Sequence, residues 1–460
     1  MQKNRSSFGS RIGFVLAAAG SAVGLGNLWR FPYLAAKYGG GIFLLVYIIL
    51  AVTFGFSLMI TEIAIGRKTR LSCIGAYKAL DRRFGFLGYV AALIPVIIVP
   101  YYCVIGGWVV KYFAEFLIGN GQAIAGNADT FFNGFISASD SGLWSTPTLW
   151  FIVFVLLTTA IVLLGVEKGI EKVSRIMMPV LVILSVFIAI FSLTMDGAIE
   201  GLKFYLLPDF SKFSITTVLA AMGQLFYSMS LAMGIMITYG SYMQAEDHLE
   251  RSVGQIEIFD TGIALIAGLM IVPAVVAFNG GDPSSINAGP GLMFVTLPRV
   301  FEAMAFGDVI GTAFFLLVLV AALTSSISLM ETVVSIVQDK LRWGRRAATL
   351  AVTAVILVLG MLSCLGYSQA MADLKPLGMA FLDFFDFISN SVLMPLVAIL
   401  TCILVGHITG TKLVADEVKL EGGTFRRERL HRVMIRWIAP AMLVGILAGE
   451  LLKYFGVITI

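Results

Sequence analysis

Long apolar runs alternate with short charged stretches along the whole chain. An α-helix needs about 20 predominantly apolar residues to cross a bilayer. Eleven runs are read as spans: 11–35, 42–66, 86–118, 149–165, 170–195, 214–240, 256–279, 306–337, 347–366, 380–405 and 434–457. The pattern predicts an all-α polytopic membrane protein.

Two of these runs are spoiled in a similar way. Span 1 carries "GSAVGLGNLWRFP" at 20–32, and span 6 carries "YSMSLAMGIMITYGS" at 227–241. Interrupted helices at matching places in two halves point to an inverted-repeat secondary transporter with its site near the bilayer midplane. The single domain 1–460 then divides into a first repeat (11–195, spans 1–5) and a second (214–405, spans 6–10). Span 11 (434–457) lies outside the repeat.

Composition strengthens the membrane reading. Hydrophobic residues make up 58% of the chain, charged residues 13%, and the mean hydropathy is +0.93. A soluble domain carries about 25% charged residues. Cys73, Cys103, Cys364 and Cys402 have no disulfide-framework or metal-ligand spacing, and neither do His248, His407 and His431. The basic, apolar N-terminus resembles a signal peptide. Its apolar pattern continues past the candidate cleavage site, so the segment is expected to stay.

Charge placement sets an orientation. With the N-terminus cytoplasmic, 24 of the 32 Lys and Arg fall in inside segments and six in outside segments. That excess fits the positive-inside rule. The chain is expected in the cell's inner (plasma) membrane, with the C-terminus external. The run "VKLEGGTFRRERLHRVMIR" reads as a topology signal, with lipid head-group contact as the other reading.

A break in a membrane helix is tolerated only where it lines a cavity or is packed within protein. The break exposes carbonyls on one side and N–H groups on the other. Carbonyls of Gly20, Ala22 and Val23 suit a desolvated Na⁺. N–H groups of Gly24, Leu25 and Gly26 suit a carboxylate. Asn27 adds a side-chain oxygen.

With these residues the chain resembles the neurotransmitter:sodium symporters, in particular their prokaryotic amino-acid-transporting members. The motifs are "GSAVGLGNLWRFP", "YGGG" at 38–41, "GQLFYSMSL" at 223–231, "ITYGSY" at 237–242 and "LTSSIS" at 323–328. The resemblance implies a LeuT fold: eleven helices in a 5+5 inverted repeat, spans 1 and 6 unwound at mid-membrane, plus span 11. It also implies two Na⁺ sites. The first matches Ala22, Asn27, Ser228 and Asp260. The second matches Gly20, Val23, Ala321, Thr324 and Ser325. Many relatives have asparagine at position 260. The resident carboxylate predicts chloride independence, with Tyr47, Gln224 and Ser228 at other positions of the relatives' chloride pocket.

For the substrate, the resemblance implies Ser21, Ala22, Val23, Gly24, Leu25, Gly26, Ile98, Tyr102, Phe226, Tyr227, Ser228, Ser230, Met233, Ser325 and Leu329. Gly24 leaves room for a substrate carboxylate beside Na⁺ and the Tyr102 hydroxyl. The apolar pocket, with adaptable Met233, favours a hydrophobic or aromatic L-amino acid. Ala232 replaces a glycine common in relatives, which puts the pocket volume and the unwinding of span 6 in question.

Charges within spans are costly and usually paired. By resemblance, Arg30 and Asp386, with Gln224 nearby, form the extracellular gate over Tyr102 and Tyr227. Arg5 and Asp339 form the cytoplasmic gate, with Phe8 where relatives often have tryptophan. Gly169 and Pro179 are spaced as in relatives whose span 5 unwinds locally.

No nucleophile–base pair or phosphate loop is present, so no enzyme is expected. The expected function is sodium-coupled import of an L-amino acid by alternating access. A proton-coupled amino-acid permease of the same fold is the alternative, and a channel is the rival from another class. The expected partners are the substrate and the lipid bilayer, with no nucleic acid. A weak homo-oligomer is compatible with the sequence.

Overall fold

The structure is a computed structural model that describes residues 6–138, 142–282, 286, 289–371 and 373–456. The architecture is all helical. Among the described residues the sole β contact is an isolated bridge between Gly40 and Pro208.

Eight helices are long and apolar enough to cross a membrane: Gly41–Thr69, Arg82–Leu117, Val166–Ser192, Leu249–Phe278, Gly307–Leu341, Arg345–Leu365, Phe381–Ile408 and Glu428–Tyr454. They correspond to spans 2, 3, 5, 7, 8, 9, 10 and 11. Span 1 is the helix pair Arg11–Ala22 and Gly26–Lys37, bent by 54°. The run read as span 4 forms a shorter apolar helix, Pro147–Leu163. The run read as span 6 is a broken pair, Ile215–Ser228 and Ile235–Tyr242.

Local chemistry explains these starts and breaks. Ser10 caps span 1 by accepting from Gly13 N at 3.0 Å. Ser214 caps span 6 by accepting from Thr217 N at 3.1 Å. Such side-chain acceptors satisfy N–H groups that the first helical turn leaves open. The "YGGG" motif turns the chain between spans 1 and 2. Gly40 has φ 59°, and a Cβ there would lie 2.1 Å from the Phe204 carbonyl oxygen. Only glycine fits both demands.

Span 7 begins at Leu249, seven residues before the apolar run suggested. The polar stretch 249–255 is already helical. Apolar periodicity marks the buried part of a helix, not its polar extension.

Span 1 packs against spans 5, 7 and 8, and span 3 lies along span 8. The second half of span 6 packs on span 2. The two breaks therefore meet inside the bundle, facing spans 3 and 8.

Candidate functional site

Span 1 loses its α-helical path after Ala22. Val23 is extended (φ −73°, ψ 101°), and the chain resumes as a wide π turn over Gly26–Arg30. Asn27 closes the break. Its Oδ1 accepts from Gly24 N at 3.1 Å, and its Nδ2 donates to Asp260 Oδ1 at 2.8 Å. The other Asp260 oxygen accepts from the Ser228 hydroxyl at 3.3 Å. Ser228 Oγ lies 3.1 Å from the Tyr47 hydroxyl. Gln224 Nε2 donates to the Gly26 carbonyl at 3.0 Å. Asn27, Gln224 and Asp260 have no solvent exposure. Spans 1, 2, 6 and 7 thus converge on one buried carboxylate.

A second convergence lies across span 1. The Ser325 hydroxyl is 3.5, 3.2 and 3.4 Å from the carbonyls of Gly20, Ser21 and Val23. Thr324 turns back instead, donating to Val320 O and Ala321 O on its own helix. Gly20 lies against it, since a Cβ there would stand 3.1 Å from Thr324 Cβ. Every oxygen expected at the second Na⁺ site is therefore on facing stretches of spans 1 and 8.

The break in span 6 is longer. Ser230, Ala232 and Gly234 all have positive φ, at 53°, 62° and 73°. Span 6 is unwound despite the alanine at 232. The Ala232 N–H is held by Glu62 Oε1 at 2.7 Å, and Ser230 donates to the Ser21 carbonyl at 2.9 Å. Span 6 thus satisfies part of the span 1 backbone, and Glu62 of span 2 part of the span 6 backbone, as burial away from water demands.

Between the breaks lies a cavity. Thirteen of the fifteen residues expected to bind substrate line it: Ser21, Ala22, Gly24, Leu25, Gly26, Ile98, Tyr102, Tyr227, Ser228, Ser230, Met233, Ser325 and Leu329. The other two lie outside its lining. Val23 faces Ser325 through its carbonyl, and Phe226 lines a separate vestibule with Trp29 and Arg30. Leu25 N donates to the Tyr102 hydroxyl at 3.4 Å.

Ser328 and Ile235 also line the cavity, and sequence reasoning passed them over. Ser328 bonds Ser21 Oγ at 2.6 Å. It lies in "LTSSIS", one helical turn from Thr324, with no mark of its own among the hydroxyls there. Glu62 was passed over too, although a lone acid within an apolar run is itself a signal.

In this vestibule, Arg30 stands over the Tyr227 ring, 5.4 Å from its centroid. Asp386 lines the same vestibule but accepts from Tyr101 at 3.1 Å and Asn390 at 2.5 Å. No direct Arg30–Asp386 ion pair forms among the described residues. Asp383 accepts from Tyr367 at 3.2 Å. At the opposite end, Asp339 accepts from Ser72 N at 2.7 Å, while Arg5 lies outside the described residues. Phe8 packs edge-on against Tyr239 and Tyr242, and its N–H donates to the Tyr242 carbonyl at 3.1 Å. Gly169 falls in a π turn at 166–171, and Pro179 lies inside the helix that follows.

Comparison with known proteins agrees with this architecture. The profile of the Sodium:neurotransmitter symporter family matches residues 5–121 and 127–458. The chain is 35% identical over 410 residues to the uncharacterized sodium-dependent transporter YhdH of Bacillus subtilis, covering 88% of this chain and 89% of that one. It is 32% identical to an uncharacterized sodium-dependent transporter of Haemophilus influenzae, covering 98% and 99%. Among solved structures, MhsT in complex with L-phenylalanine superposes with a TM-score of 0.85 at 36% identity, covering 97% of this chain and all of that one. Breaks, cavity and comparisons lead to one conclusion: the chain belongs to the sodium:neurotransmitter symporter family, as a multi-pass membrane transporter of LeuT fold.

Proposed function

We propose that this transporter couples Na⁺ entry to import of a hydrophobic or aromatic L-amino acid, without chloride. The observation that carries the reading is the buried Asp260 carboxylate, bonded to Asn27 and Ser228 beside the span 1 break. It supplies beside the cation a negative charge that would otherwise call for a bound anion. Of the positions of the chloride pocket in relatives, Ser228 bonds this carboxylate and Tyr47 bonds Ser228.

Asn27, Asp260, Ser228 and the Ala22 carbonyl would hold one Na⁺. The carbonyls of Gly20, Val23 and Ala321 with Thr324 and Ser325 would hold a second. Oxygen donors suit such a hard cation. The substrate carboxylate would meet Gly24–Gly26 N–H groups and the Tyr102 hydroxyl, and its side chain would lie against Ile98, Met233 and Leu329. MhsT, the similar protein, was solved with L-phenylalanine, which supports an aromatic substrate. Movement of Na⁺ down its gradient and the membrane potential supplies the driving force. Spans 1–5 and 6–10 are read as inverted repeats that rock against each other, with the N-terminus cytoplasmic, the C-terminus external, and Arg30–Asp386 and Arg5–Asp339 closing in turn.

The test is uptake of labelled L-phenylalanine into proteoliposomes, with competition by each of the twenty amino acids. Uptake is expected to need inward Na⁺, to survive replacement of chloride by gluconate, and to be blocked by apolar amino acids. Uptake driven by a proton gradient without Na⁺ would establish the proton-coupled alternative.

A further inference from the structure

A cavity of about 590 Å³ opens at the end of the bundle opposite Arg30, between span 7 and the connection from span 10 to span 11. Its lining brings Arg251 of span 7 together with the adjacent pair Arg426 and Arg427 of that connection. The chain builds the connection firmly. The Glu250 carboxylate accepts from Arg426 N at 2.9 Å and Arg427 N at 3.1 Å. Both guanidinium-bearing residues are thereby fixed at the mouth of span 7.

Arg427 reaches inward from this loop. It pairs with Glu257 at 3.1 Å, crosses the Phe56 ring at 4.3 Å, and donates to the Val52 carbonyl at 3.3 Å. That carbonyl lies where span 2 widens to π geometry over Ala51–Gly55. The Arg427 side chain remains 38% exposed. Ile258, seven residues beyond Arg251 on span 7, is 72% exposed, and two helical turns bring it back to the Arg251 face; Val52, whose carbonyl accepts from Arg427, is 38% exposed. A cation exposed on a bilayer-facing surface is costly unless paired.

Arg251 and Arg426 are exposed, and their side chains carry no ion pair among the described residues. Glu250 and Glu257 offset two of the three positive charges, yet both carboxylates are already engaged by the loop. Planar guanidinium groups pair well with phosphate.

We propose that this cavity binds an anionic phospholipid. Its phosphate meets Arg251 and Arg426, and its acyl chains run down the apolar face of Val52 and Ile258. The shared chemistry is a phosphate monoanion. A lipid is favoured over a free phosphate because exposed apolar residues adjoin the arginines: Ile258 on the Arg251 face of span 7, and Val52, whose carbonyl accepts from Arg427.

Native mass spectrometry of the purified full chain tests this, with phosphatidylglycerol or phosphatidylcholine of matched acyl chains added. The wild type is expected to retain phosphatidylglycerol over phosphatidylcholine, by roughly fivefold per arginine engaged at the surface. Arg251→Gln with Arg426→Gln is expected to abolish the preference, and Arg251→Lys with Arg426→Lys to keep most of it. Equal retention of the two lipids by the wild type would overturn the proposal, whatever the variants' folding. An unchanged preference in the double glutamine variant would do the same. Displacement of the lipid by millimolar glycerol phosphate would assign the site to a soluble anion instead.

Discussion

Asn27 and Asp260 are joined by a hydrogen bond of 2.8 Å from the amide of span 1 to the carboxylate of span 7. The same Asn27 accepts from Gly24 N, so one side chain ties the break in span 1 to the buried acid. Position, charge and backbone geometry at this point are coupled. Removing the charge should therefore expose the need for another anion.

Asp260→Asn keeps the shape and deletes the charge. Uptake in chloride-free buffer is expected to fall about tenfold or more, since each 1.4 kcal/mol of lost interaction is a factor of ten. Added chloride is expected to restore part of it. Uptake of labelled substrate in gluconate and in chloride buffers is the measurement. Wild-type rates in gluconate would argue that Asp260 is only a structural acid.

Gly24 and Gly26 leave no space for a methyl group. A Cβ at Gly24 would stand 2.8 Å from Ser325 Oγ and 3.1 Å from the Tyr102 hydroxyl. One at Gly26 would stand 2.7 Å from the Tyr227 ring. Overpacking costs about 1–3 kcal/mol. Gly24→Ala is expected to weaken substrate binding by about tenfold to a hundredfold. Scintillation proximity binding of labelled phenylalanine reads it directly, and an unchanged affinity would place the substrate away from Gly24.

The helices were legible because each apolar run is long and closed by charge. The break in span 1 was legible because glycines, Asn27, Arg30 and Pro32 interrupt one such run. Ser328 and Glu62 were not singled out, for different reasons. A serine within a membrane helix usually bonds its own backbone, as Thr324 does here, so nothing along the chain separates Ser328 from its neighbours. Glu62 acts on Ala232, 170 positions away, a pairing that appears only once span 6 packs on span 2. Arg30 and Asp386 were legible as charges in apolar runs, and their proposed gate role only by resemblance, but whether two charges touch depends on conformation. Arg30 rests on Tyr227 while Asp386 bonds Tyr101 and Asn390.

The unwound segment of span 6 has a left-handed alanine, Ala232, at φ 62°. That conformation costs an L-residue about 1–2 kcal/mol, and Glu62 holds it in place. Ala232→Gly relieves the strain but adds freedom to the unfolded chain, so a gain below about 1 kcal/mol is expected. Glu62→Ala strands a buried N–H and is expected to cost about 1–3 kcal/mol. Thermal melting in detergent should rank Ala232→Gly above the wild type and Glu62→Ala below it. The reverse order would mean that the segment is not held by this bond.

Lys111 lies in span 3 among the rings of Phe131, Trp144 and Trp150, with its ammonium 5.7, 5.3 and 5.7 Å from their centroids. It pairs with Glu115, and the two side chains are only 4% and 6% exposed. Glu115 also accepts from Asn120 at 2.7 Å and from the Trp144 indole at 2.8 Å. The connection between spans 3 and 4 is thereby fastened to the top of span 3. Breaking one side of a buried pair costs about 3–5 kcal/mol, because the other charge stays buried. Removing both charges costs less. Lys111→Met is therefore expected to lower the melting temperature more than Lys111→Met combined with Glu115→Leu. Equal losses in the single and double variants would show that packing of the long side chains, not the charge pair, holds this loop.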